Sequence, residues 1–160
     1  MHPHWNNCIT HFDDEVRSFI ADYFARDDRR CLLVAGAGFD PRAQIIGKQL
    51  AEALGPHLTA IFIREERGDP AVNLRAAADS NEVMLRKLVT KASVVTVPIF
   101  GDDRAPVGGA HAVTQLRSIA WPEDVTDVVL DTSALSMGIA FPVARLMLAL
   151  AARRPSVNMH

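Results

Sequence analysis

The stretch 31–42, CLLVAGAGFDPR, limits what this chain can fold into more than any other. Its apolar run at 32–35 is continuous rather than alternating, as expected for a parallel strand covered on both faces. Gly36 and Gly38 follow. Neither carries a Cβ, so the backbone can turn sharply there and approach a ligand closely. Asp40 is a helix-capping residue type, and Pro41 suits a first helical position, where its missing N–H costs nothing. Strand, glycine turn and helix start in this order predict the βα junction of an α/β sheet. The free N–H groups and positive dipole end of such a helix favour an anion. The stretch is therefore expected to seat a nucleotide or similar cofactor.

The flanking pattern supports that reading. Residues 1–11 are an irregular lead-in, and 12–160 form one domain, long enough at 160 residues in all for a real core. Val16, Phe19, Ile20, Tyr23 and Phe24 fall on one stripe and predict a helix over 12–29. A second helix is expected over 41–54, stopped by Gly55-Pro56, and a strand within 57–65. Residues 68–78 read as a loop or a ragged helical turn. Asp79 with Glu82 resembles a capping box that starts a helix running to about residue 92. A strand over 93–100 contains Pro98, which removes a ladder donor. An irregular, mobile loop over 101–111 precedes a short helix at 110–120. A strand over 125–130 runs into a hydroxyl-rich turn at 131–138 and an apolar helix at 139–152, with Pro142 in its first turn. Val157 to His160 can open a fifth strand.

Composition narrows the partners. A net charge of −2, with both signs scattered, gives no reason to expect nucleic acid or an anionic membrane. No apolar run approaches the ~18 residues of a membrane span, and no secretory signal opens the chain, so a cytoplasmic protein is expected. Two cysteines, Cys8 and Cys31, make no disulfide framework, and Cys31 is expected as a core residue. His2, His4, Cys8 and His11 look superficially like metal ligands, but no second ligand cluster accompanies them.

Strands and helices alternate, which implies an α/β three-layer fold: a small, mostly parallel sheet of four to five strands with helices on both faces. Strand order 3-2-1-4 is preferred, because it makes the first and fourth strands neighbours at the switch point. That order gathers Gly36, Gly38, Asp40, Asp131 and Ser133 into one crevice. Glu65 or Glu66, after the second strand, stands where a ribose hydroxyl is often bound, and Arg42 suits a carboxylate or phosphate. Asp131, Ser133 and the Asp102-Asp103 pair are candidates for substrate chemistry, as acid, base or hydrogen-bonding groups. A small sheet and an apolar last helix raise three further expectations: a truncated chain lacking a C-terminal domain, a site completed by another chain, or a homo-oligomer.

The motif Gly36-Ala-Gly-Phe-Asp-Pro-Arg42 resembles the glycine motif of class I S-adenosylmethionine-dependent methyltransferases, particularly the Gly-Ala-Gly-x-Asp-x-Arg form of carboxyl methyltransferases. In that family an acid commonly stands two positions before the first glycine, where this chain has Val34; a dinucleotide-binding pattern needs a small residue where it has Pro41. The resemblance implies a Rossmann-like fold, S-adenosylmethionine as cofactor and methyl transfer by positioning. Two other readings accompany it. One is a nucleotide-processing hydrolase using Asp131, Ser133, the acidic loop at 101–111 and Mg²⁺. The other is a non-catalytic module that senses a nucleotide or serves in an assembly.

Overall fold

The computed structural model describes residues 8–160; His2 and His4 of the apparent metal-ligand set lie outside them. Five helices and five strands alternate: α1 (Asp14–Tyr23), β1 (Cys31–Gly36), α2 (Ile45–Leu54), β2 (Leu58–Glu66), α3 (Val72–Leu88), β3 (Lys91–Pro98), α4 (Gly108–Ser118), β4 (Asp127–Asp131), α5 (Met137–Ala151) and β5 (Asn158–Met159). Every ladder is parallel and the strand order is β3-β2-β1-β4-β5. The result is a three-layer Rossmann-like fold. Among the described residues no helix is long and apolar enough to cross a membrane.

The period of two along β1 divides the core between the faces. Cys31, Leu33 and Ala35 pack with Ile20, Phe24, Leu50, Leu54 and Leu85 of the α1, α2 and α3 layer. Leu32 and Val34 pack with Ala112, Leu116, Ile139, Val143 and Met147 of the α4 and α5 layer. All six residues of β1 are buried, which is why the sequence there shows no alternation. Right-handed crossovers put the helices joining β1, β2 and β3 on one face. The chain reverses beyond β1, so the helices joining β3, β4 and β5 cover the other.

Several element boundaries differ from the sequence expectation. Helix α1 ends at Tyr23, not 29, because Phe24 turns into the core and Arg29 reaches Asp127 at 3.5 Å. The helix after the glycine turn opens as one 3-10 turn, Pro41–Gln44, before α2. Helix α3 starts at Val72, not Asp79. Leu74 and Arg75 donate to the Ala71 carbonyl, and the alanines at 76–78 continue the helix. Asp79 and Glu82 cap nothing; they pair with Arg64 of β2 at 2.6 and 3.6 Å. Strand β3 ends at Pro98, which is tolerated because β3 is an edge strand.

Pro142 lies in the second turn of α5, not the first. Its missing N–H leaves the Gly138 carbonyl without its helical donor. Gly109 of α4 packs against that oxygen, where a Cβ would lie 2.5 Å away.

A buried polar cluster ties the amino edge of the sheet together. Asp127 is fully buried. It accepts hydrogen bonds from Tyr23 Oη (2.9 Å), Asn158 Nδ2 (3.2 Å) and Thr126 Oγ1 (2.6 Å), and its Oδ1 lies 2.9 Å from His160 Nε2. Burial pushes its pKa up, but the bonds from His160, Thr126, Tyr23 and Asn158 outweigh it and hold the carboxyl at about 2. The Tyr23 phenol, desolvated and facing that carboxylate, is pushed up to about 12.

Candidate functional site

Parallel strands end together, so the turns after β1, β2, β3 and β4 share the carboxyl edge of the sheet. There they enclose a cleft of about 1220 Å³. The Gly38–Arg42 segment forms one end, the 64–70 segment and the start of α3 the middle, and Phe100 to Arg104 the far end. Ser133 to Ser136, from the turn after β4, closes it beside β1. This is the crevice beyond the strand ends at which open α/β sheets bind ligands.

The glycine turn is fixed by packing. A Cβ on Gly36 would sit 2.7 Å from the Ala134 carbonyl oxygen. Position 36 must therefore be glycine so that the β1 and β4 turns can meet. Gly38 lines the cleft, and a Cβ there would meet only the same oxygen at 3.5 Å, an ordinary contact. Asn81 of α3, 7% exposed, clamps the turn: its Nδ2 donates to the carbonyls of Gly38 (2.8 Å) and Asp40 (3.0 Å), and its Oδ1 accepts from Gln44 at 2.6 Å.

Asp40 caps the 3-10 turn by accepting from the Arg42 backbone N–H at 2.9 Å. The Arg42 side chain closes a fork on the same carboxylate, with Nε 3.0 Å from Oδ1 and a terminal nitrogen 2.7 Å from Oδ2. That hydrogen bond holds the carboxyl well down, at about 2. The position expected to attract an anion thus already contains one, and the guanidinium expected to meet a ligand is engaged with it.

Glu65, expected at a ribose, reaches across the end of β1. Its Oε1 accepts from the Ser136 N–H at 2.6 Å at the start of α5, and its Oε2 lies 3.5 Å from Arg67. Its side chain is 8% exposed. Glu66 is exposed in the cleft, so of the two acids it is the one accessible to a ligand.

Asp131 pairs with Ala35 in the β1–β4 ladder and is buried beside the glycine turn. Its Oδ1 accepts from the Ser133 N–H at 2.9 Å. Its Oδ2, and the Ser133 hydroxyl, are buried with no hydrogen-bond partner among the described residues. The five residues expected in one crevice stand at adjacent turns, but only Gly38, Asp40 and Ser133 line the cleft; Gly36 and Asp131 do not. Asp102 is exposed and does not line the cleft, whereas its neighbours Gly101 and Arg104 do. Asp103 accepts from the Ala105 N–H at 2.9 Å, and Gly101 and Ala105 close the loop with a backbone bond of 2.9 Å. This turn holds Arg104 at φ 63°, a left-handed conformation that costs a non-glycine residue about 1 kcal/mol. Among the described residues no group of three or more His, Cys, Asp or Glu could hold a metal ion.

Four cleft residues had not stood out from the sequence. Phe39 and Phe100 are 43% and 54% exposed, unusual for phenylalanine, and both line the cleft. Arg75 and Arg104 line it with no carboxylate partner among the described residues, unlike Arg42, Arg64 and Arg67. Asn81 is a fifth omission outside the lining. Its signal is periodicity: it shares a helical stripe with the buried Ala78 and Leu85.

No protein-family model matches the chain, and no curated protein matches it.

Proposed function

We propose that the carboxyl-edge cleft binds an adenosyl-bearing small molecule, an adenine nucleotide or S-adenosylmethionine. One observation carries this reading. A cleft of about 1220 Å³ at the switch between β1 and β4 presents two exposed phenylalanine rings among charged side chains. A heterocyclic base stacks on such a ring, and Glu66 is an acceptor for ribose hydroxyls. Methyl transfer would follow from the resemblance of the Gly36–Arg42 motif if S-adenosylmethionine is the ligand that binds.

A thermal-shift panel tests the reading, with S-adenosylmethionine, S-adenosylhomocysteine, NAD, NADP, ATP and GTP, each with and without Mg²⁺. A ligand at 100 times its dissociation constant adds about 2.7 kcal/mol, a rise of roughly 5–10 °C for a chain of this size. A shift with the adenosylmethionine pair alone selects the methyltransferase-like reading. A shift needing Mg²⁺ and a nucleotide selects phosphate chemistry or sensing. No shift with any of them refutes the proposal. Gly38→Val, at a position with room for a side chain, should stay folded and lose the shift.

The hydrolase reading has its own support in the oxygens of Asp131 and Ser133 that have no hydrogen-bond partner among the described residues. Metal-dependent turnover unchanged in Asp131→Asn would end it. Self-association has support in α5, whose Met137, Phe141 and Leu148 are exposed. A mass independent of concentration in light scattering would end that reading.

A further inference from the structure

We infer that the cleft binds its ligand with the anionic group at Arg75 and Arg104, away from the glycine turn, and the aromatic base against Phe39 beside that turn. This rests on the adenosyl-ligand reading and deepens it: the ligand class becomes a nucleoside phosphate in reversed orientation. Unmatched charge sets the direction. At the glycine turn the Asp40 carboxylate already accepts the Arg42 N–H at 2.9 Å, and the Arg42 guanidinium is closed on it at 2.7 Å. An incoming phosphate there would meet a carboxylate and no unmatched cation. Beside Gly36 the space is taken by the Ala134 carbonyl.

Away from that turn the lining carries unpaired groups of both signs: Glu66 and Asp69 have no ion-pair partner among the described residues, and neither do two arginines. Arg75 in the first turn of α3 and Arg104 in the loop after β3 line the cleft with no ion-pair partner among the described residues. Arg104 is held in place by the bonded Gly101–Ala105 turn, not by a carboxylate. Charge-assisted bonds from two guanidinium groups suit phosphate oxygens. Phe39, 43% exposed at the glycine-turn end, is the ring left for the base.

Isothermal titration with ADP, adenosine, S-adenosylmethionine and inorganic tripolyphosphate tests this on wild type, Arg75→Ala, Arg104→Ala, the double variant and Phe39→Ala. Both arginines are exposed, so their variants should fold. The expected result is ADP bound at least tenfold more tightly than adenosine. Each arginine variant should lose about tenfold for ADP and leave adenosine unchanged, and the double variant should lose tripolyphosphate binding. Phe39→Ala should weaken ADP and adenosine by the same factor. ADP binding unchanged in the double variant overturns the orientation while the adenosyl reading survives. Adenosine or S-adenosylmethionine binding as tightly as ADP likewise overturns the orientation alone. Failure of wild type to bind any of the adenosine-bearing ligands overturns both.

Discussion

Asn81 holds the glycine turn in place, and the isosteric change Asn81→Asp isolates how. The side chain keeps its shape and can still accept from Gln44. What disappears are the two hydrogen bonds donated at 2.8 and 3.0 Å to the Gly38 and Asp40 carbonyls. Each is worth about 1 kcal/mol net. A carboxylate oxygen then faces two carbonyl oxygens at a buried position, which adds roughly 1–3 kcal/mol. The expected loss is about 3–5 kcal/mol, or on the order of 10 °C in Tm for a chain of this length. Urea titration followed by circular dichroism measures it, with the m-value checking that the unfolded state is unchanged. Asn81→Ala should cost less, about 2–3 kcal/mol, because it removes the donors without adding charge. A loss below about 1 kcal/mol for the Asp variant would mean that the turn is rigid on its own, and would refute the clamp.

Gly36→Ala should cost at least ~2 kcal/mol, since its Cβ would meet a backbone oxygen at 2.7 Å, while Gly38→Ala should change stability by less than ~1 kcal/mol; paired urea titrations check the contrast. Asp127 has a carboxyl held at about 2 against an ordinary 3.8, so its stabilisation of about 2 kcal/mol is present above pH ~4 and lost as pH falls toward 2. Unfolding free energies measured from pH 6 to pH 2 should show that fall, and Asp127→Asn should lose it. Tyr23, pushed up to about 12, acts at the other extreme: its contribution is present below pH 10 and lost as pH rises toward 12, which phenolate absorbance reports. Burial raises the Cys31 thiol well above its ordinary range, so in a Cys8→Ser background it should react with a disulfide reagent only at the global unfolding rate.

The order of elements and the class of fold were legible because they follow from periodicity and punctuation that act within a few residues. The unbroken apolar run of β1, the glycines after it and the Gly55-Pro56 stop each carry their meaning locally. The strand order followed from a chemical argument, the clustering of Gly36, Gly38, Asp40, Asp131 and Ser133, and the sheet has that order with β5 added beyond β4. Three residues whose roles differ from expectation, Asp79, Glu82 and Glu65, have partners distant in sequence, whereas Arg42 is engaged by Asp40 two residues away. Asp79 and Glu82 have the spacing of a capping box, yet Arg64 on the neighbouring strand takes both. Glu65 has the position of a ribose ligand, yet the N–H of Ser136, 71 residues away, takes it.

The sequence by itself therefore determined the alternation of strands and helices, the buried central strand and the glycine turn, since hydrophobic period and backbone permissiveness are properties of short segments. Only the tertiary structure decided which charges around that turn remain unmatched. Asp40 and Arg42 neutralise each other there, while Arg75 and Arg104 stand without a carboxylate partner across the cleft, among the described residues. A charge is free or spent according to what lies within about 4 Å of it; Asp40 and Arg42 meet across two residues, but whether a carboxylate from elsewhere reaches Arg75 or Arg104 is set by the fold and encoded in no local pattern.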